Sequence, residues 1–185
     1  MQNWKQKRSN MQHYDLQAEI YDLQYIGEQD KKIETMLESI NFCSKDLVLD
    51  LGCGTGFLFK HIVKKSKLIV GVDLSKKALI QAKKRAKNSF NVELICADAD
   101  NTPFVDNLFD KVFAVTVLQN MPDATKTIQE MKRIGKSEAM FAVTGLKKKF
   151  SAESFFELLK NAELKVVKFN DDEQLKGYVA VYVNS

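Results

Sequence analysis

The chain predicts an α/β fold: a mostly parallel, seven-stranded sheet covered by helices on both faces, with an antiparallel hairpin near its C-terminal end. Three observations predict it. Short apolar runs alternate with helix-patterned segments five times, and such alternation requires crossovers between parallel strands. The first apolar run ends in a cluster of glycines, as buried parallel strands of this class do. The last two runs follow each other directly, across a loop of Asn, Asp, Glu and Gly.

Residues 1–42 carry helical signals. Over 15–26, Leu16, Ile20 and Leu23 fall near one face, and Gly27 is a plausible stop. Over 30–42, Ile33, Met36, Leu37 and Ile40 repeat at three- and four-residue spacing. The first strand is expected over 47–51, a helix over 57–65 and the second strand over 68–72. A lysine-rich amphipathic helix follows over 75–88, with Ser75 as its N-cap. Strands are then expected over 92–97 and 111–117. A helix over 123–134 is capped near Asp123 and stopped at Gly135, and the fifth strand covers 139–144. The last helix spans 151–161 behind a Ser-x-x-Ser start, and strands over 164–169 and 178–183 close the chain.

The length of 185 residues suits one domain with a real core, divided here into a helical cap (1–42) and an α/β body (43–185). Apolar residues make up 45% and charged residues 28%, a globular balance without any apolar run near the roughly 20 residues that span a bilayer. The polar start, Met1 to Arg8, lacks the apolar core of a secretory signal. Cys43, Cys53 and Cys96 are scattered without a C-x-x-C or a histidine cluster. Together these features predict a cytoplasmic protein with neither a disulfide framework nor a metal site.

Charge is distributed unevenly. Between Lys60 and Phe90, ten Lys and Arg residues face a single acid, Asp73, and Lys147, Lys148 and Lys149 form a second cluster. Such runs are read as solvated helix faces or as a footprint for RNA or another anion.

The segment Asp50-Leu51-Gly52-Cys53-Gly54-Thr55-Gly56 carries the most chemistry. Its glycines permit a tight turn and close approach of a ligand to main-chain atoms, and the following helix offers free N–H groups. The dinucleotide pattern G-x-G-x-x-G fails, because Phe57 stands at its third glycine, and no P-loop is present. Asp50 precedes the turn, where it can accept from a ligand ammonium. Asp73 ends the second strand, where an acid reaches ribose hydroxyls. Asp98 ends the third, where it can accept from an adenine amine.

These motifs resemble class I, Rossmann-like S-adenosylmethionine-dependent methyltransferases, of the compact type 11 kind. The resemblance rests on 48–56, on Gly71-Val72-Asp73-Leu74-Ser75 and on 98–122, and spans about 14–169. It implies a three-layer sandwich and S-adenosyl-L-methionine as cofactor. It further implies that Gly52, Cys53, Gly54, Thr55 and Gly56 pass beneath the methionine part and that Asp50 lies at its methionyl end. Asp73 would hold the ribose, Leu74 would pack on adenine, and Asp98 with the Ala99 amide would read adenine. Val117 and Leu118 would lie near the sulfonium. The phrase containing Tyr14 and Tyr21 resembles the family's cap over the cofactor, although two tyrosines seven apart also suit a core face.

Methyl transfer by in-line displacement draws mainly on positioning, which can supply roughly 7–11 kcal/mol. No catalytic base is assigned. Gln119 and Asn120 are candidates to orient an acceptor, His13 to enter the chamber, and Lys147, Lys148 and Lys149 to meet an anionic acceptor at the rim. His61 reads as a surface or packing residue. Asn120-Met121-Pro122-Asp123 only partly echoes the [DN]-P-P-[YF] of amino-group methylases, so adenine-N6 or glutamine-N5 methylation is not expected. The acceptor is read as RNA or a translation-related protein. A small metabolite or lipid-like acceptor is the alternative, and a non-catalytic cofactor-binding scaffold the reading of another class. A small activating partner subunit could complete the site.

Overall fold

Leu47–Leu51 forms β1 at the centre of the sheet, because its apolar run can be buried on both faces. The computed structural model describes residues 2–17 and 21–184, leaving out the side chains of residues 2, 13, 14, 16, 17 and 21–25. Two helices come first, α1 (Gln2–Gln17) and α2 (Tyr21–Leu37). After β1 come α3 (Phe59–Ile62), β2 (Leu68–Asp73), α4 (Lys76–Arg85), β3 (Val92–Cys96) and β4 (Phe109–Ala114). A short 3₁₀ turn (Leu118–Asn120) leads into α5 (Ala124–Ile134), β5 (Gly135–Leu146), α6 (Ala152–Lys160), β6 (Lys165–Asn170) and β7 (Gly177–Val183).

The strand order is β3-β2-β1-β4-β5-β7-β6. The first five strands are parallel, and β7 runs antiparallel to both neighbours, β5 and β6. Residues alternate between the two faces. Leu49, Leu51, Val112 and Val143 pack with α5 and α6 through Ile128, Met131, Ile134, Phe155 and Leu159. Val48, Phe113 and Ala142 pack on the other face with α2, α3 and α4 through Ile33, Met36, Phe59, Ile62 and Ala82. The result is a three-layer sandwich. Chain order reverses between β1 and β4, so the crevice above their C-terminal tips is the expected ligand position.

Several boundaries differ from expectation. Gly27 does not stop a helix but lies inside α2, and α1 occupies the start of the chain. The cost of an exposed helical glycine, about 1 kcal/mol, is offset by burial of Ile33 and Met36 further along the same helix. The helix after β1 is a single turn of four residues. β4 ends at Ala114 instead of Val117, because the chain turns at Thr116, whose φ is +64°. α5 ends at Ile134 with Gly135 as its C-cap, as expected, but β5 begins at once at Gly135, ahead of the expected start at 139. The caps follow the sequence: Ser75 accepts from the Ala78 N–H, Asp123 from Thr125, and Ser151 forms a capping box with Ser154.

Candidate functional site

A cavity of about 170 Å³ opens above the β1/β4 crevice. Its floor is the turn after β1. The Gly52 and Cys53 N–H groups both donate to the Val72 carbonyl, at 2.7 and 2.9 Å, which bends the chain across the tip of β2. Gly52 has φ +71°, and a Cβ there would meet the Val117 side chain at 2.5 Å. Gly54 has φ +53° and nothing within 4 Å of an added Cβ, so its bare main chain faces open space on the cavity wall. The backbone demands glycine at both positions.

Three carboxylates line this cavity from three successive strand tips: Asp50, Asp73 and Asp98. Asp50 is 2% exposed, and no described residue donates a hydrogen bond to it. Burial first, and then the nearby Asp73 charge, push its pKa up to about 8. Asp73 accepts from the Gly54 N–H at one oxygen and the Ser75 N–H at the other, both at 2.8 Å. Burial nevertheless raises its pKa, aided by Asp15, against the lowering effect of the N–H groups of Ser75, Gly54 and Leu74. Asp98 is held differently. The Lys7 ammonium donates to both of its oxygens, at 2.7 and 2.8 Å, and lies 2.5 Å from Asp100. Burial works against the charge of Lys7, but its bonds to Asp100 and Asp98 prevail and hold its pKa above the ordinary value.

Lys7 belongs to α1, which roofs the cavity. Asn10 of the same helix donates to the Asn120 carbonyl at 2.6 Å, and the Ser75 hydroxyl donates to Asp15. Lys7, Asn10 and Met11 from α1 and Gln29 and Ile33 from α2 line the upper wall. Opposite them stands Thr116, a β-branched residue in the left-handed region, a placement that costs of order 1–3 kcal/mol. Its N–H donates to Thr144 Oγ1 at 2.7 Å, its hydroxyl to Gln29 at 3.1 Å, and its carbonyl accepts from Asn120 at 3.0 Å.

Of the residues singled out in the sequence, Asp50, Gly52, Cys53, Gly54, Thr55, Asp73, Leu74, Asp98, Ala99, Val117 and Asn120 line the cavity. Gly56 does not; it packs against the Phe59 ring. Gln119 is not on the wall, and its side-chain carbonyl is buried with no partner among the described residues. Lys147, Lys148 and Lys149 are also off the wall; Lys147 pairs with Asp171 at 2.7 Å and lies over the Tyr178 ring. His61 pairs with Asp30 at 3.0 Å. The side chains of His13, Tyr14 and Tyr21 lie outside the described residues. Sequence reasoning missed Lys7, Asn10, Met11, Gln29, Ile33 and Thr116. Only Ile33 carried a signal there, as part of an apolar helical stripe.

The donor set fits S-adenosylmethionine. A buried carboxylate to which no described residue donates suits an ammonium, a bare glycine backbone suits a ligand chain lying on it, and two further strand-tip acids suit hydroxyl and amine donors. Among the described residues no helix is long and apolar enough to cross a membrane, and no His, Cys, Asp and Glu group could hold a metal.

Comparison with known proteins agrees with this reading. The family described as "Methyltransferase domain" matches residues 49–143. A demethylmenaquinone methyltransferase of Staphylococcus saprophyticus is 33% identical over 108 residues, 57% of this chain and 46% of that protein. A malonyl-[acyl-carrier protein] O-methyltransferase of a Marinomonas species is 30% identical over 130 residues, 69% of this chain and 48% of that one. The chain thus spans about half the length of both relatives. Among solved structures, a chain of the Haloferax volcanii complex containing the Trm112 methyltransferase activator shares the fold. Its TM-score is 0.80 at 16% identity, covering 92% of this chain and 97% of that one.

Proposed function

Because the chain belongs to the S-adenosylmethionine-dependent methyltransferases, we propose that it transfers the methyl group to a small acceptor enclosed in the chamber beneath α1. The observation that carries this reading is the roof. α1 is tied to the β3 tip through Lys7, to the α4 cap through Asp15 and to the segment after β4 through Asn10. A polymer would have to displace all three ties, whereas a small molecule needs only one edge to open. The name of one curated relative, a demethylmenaquinone methyltransferase, points the same way.

In this reading Asp50 accepts from the cofactor's ammonium, Gly54 lets its methionine part lie against bare backbone, Asp73 takes the ribose hydroxyls, and Asp98 with Ala99 reads adenine. The bound cofactor supplies an electrophilic methyl on a sulfonium whose departure leaves a neutral thioether. The protein's own contribution is alignment and dryness. Among the described residues, the polar groups between α1, α2 and the segment after β4 include Asn10, Gln29, Thr116 and Asn120. Amides and a hydroxyl orient an acceptor but do not take its proton at neutral pH.

A polymeric acceptor finds less support, since the 147–149 lysines stand off the cavity and the first is already paired. The likeness to a chain from a complex with a methyltransferase activator supports a second element of the proposal, that a small partner subunit joins this protein. Incubation with radiolabelled methyl donor and fractionated cell extract tests the acceptor. Label in the small-molecule or solvent-extractable fraction is expected. Label confined to RNA or protein overturns the reading.

A further inference from the structure

The lysine run between β2 and β3 takes no part in the site just described. In the folded chain it forms one face of α4. Lys76, Lys77, Ile80, Lys83, Lys84 and Lys87 are exposed, while Ala78, Ala82 and Ala86 are buried against the sheet. At 3.6 residues per turn the five exposed positions within α4 occupy an arc of roughly 120°, with Ile80 at its middle, and Lys87 follows in the turn after the helix. None of these five lysines pairs with an acid among the described residues.

Two large apolar side chains sit within this cationic field. Ile80 is 56% exposed, and Phe90, in the turn after α4, is 104% exposed. The next residue, Asn91, donates to the Val63 and Ser66 carbonyls, both at 2.9 Å. It thereby fastens the Phe90 turn beside a second lysine turn that presents Lys64 and Lys67.

We propose that the outer face of α4, with the Phe90 turn, docks on an anionic lipid surface. The charges select an anionic partner. The apolar residues select its kind. An aliphatic side chain at the centre of the arc gains nothing from stacking on a nucleobase, but together with Phe90 it gains from entering the boundary between headgroups and acyl chains. The lysine stems would lie over that boundary with their ammonium groups raised to the phosphates. The helix axis would lie parallel to the surface. Each lysine brought to an anionic bilayer strengthens binding about fivefold.

The test is flotation of the full chain, saturated with S-adenosylhomocysteine, on phosphatidylcholine vesicles with and without phosphatidylglycerol. Binding only to the phosphatidylglycerol vesicles, weakened by salt, is expected. The triple variant Lys83→Gln, Lys84→Gln, Lys87→Gln should bind roughly a hundredfold more weakly. The double variant Ile80→Ser, Phe90→Ser should lose several-fold at unchanged charge. Calorimetric binding of S-adenosylhomocysteine, unaltered in both variants, verifies that they are folded. Absence of binding, equal binding to neutral vesicles, or tighter binding to a single-stranded oligonucleotide overturns the proposal. So does an Ile80→Ser, Phe90→Ser variant with full vesicle affinity, which would leave the face a purely electrostatic one.

Discussion

Replacing Asp50 by Asn tests the electrostatics of the cavity most directly. The carboxyl is buried, no described residue donates to it, and its pKa stands near 8. At pH 7 it is therefore about nine-tenths protonated in the unliganded protein, and ionising it costs about 1.4 kcal/mol. A ligand ammonium seated against it reverses that preference. Binding of S-adenosylhomocysteine should then release about 0.9 proton at pH 7, and the Kd should fall about tenfold between pH 6 and pH 7. Calorimetry in two buffers of different ionisation enthalpy measures the released proton. Asp50→Asn keeps the size but cannot ionise, so it should abolish both the release and the pH dependence. The same shift has a consequence for stability. The folded state binds more protons than the unfolded state between about pH 4 and pH 8, so this group's contribution to stability falls as pH rises through that window. Unliganded Asp50→Asn should consequently melt higher than the parent at pH 8 and show the smaller difference at pH 5. Wild-type binding without proton release and with a flat pH profile would refute the placement of an ammonium beside Asp50.

Three other substitutions probe the site. Asp73→Ala removes the acceptor for the Gly54 and Ser75 N–H groups as well as the proposed ribose contact, so cofactor affinity should fall by about 2 kcal/mol or more; unchanged affinity in calorimetry would remove the ribose assignment. Gly52→Ala forces a side chain into a φ of +71° and against Val117 at 2.5 Å, and should cost about 2 kcal/mol or more of stability in thermal melts, with loss of cofactor binding; a parent-like melting temperature would contradict it. Lys7→Met cuts the tie between α1 and the β3 tip and frees Asp98, so stopped-flow measurements should show faster cofactor association and dissociation; unchanged rates would mean that this tie does not govern entry.

The strand pattern was legible because it is written in apolar runs. β1 matches its expected bounds to the residue, and the seven strands and the closing hairpin follow the alternation. The floor of the cavity was legible for a related reason: glycines and strand-tip acids lie within a few residues of apolar runs that fix their position. The roof was not. α1 turns Lys7 and Asn10 inward toward carboxylates and a carbonyl, so it carries no apolar stripe for periodicity to find. The partners of Lys7 and Asn10 stand about ninety and more residues away, and only the folded chain brings those groups together. Thr116 was hidden because nothing local requires its left-handed backbone; Thr144 and Gln29 fix it from other elements. Gln119 and Asn120 show the reverse. Adjacent in sequence, they part company where the chain makes a 3₁₀ turn, leaving only Asn120 on the cavity wall.

The position of β7 bears on how the molecule comes into being. Residues 177–183 lie between β5 and β6 and pair with both, with seven register partners on β5 alone. While these residues are still within the ribosome, β5 has an open flank and β6 has no strand beside it. A nascent chain stalled before residue 177 would expose the apolar edge of β5 to other chains, a recognised route to aggregation. Assembly of the sheet therefore ends in its interior, with β7 sliding between two strands that were made before it.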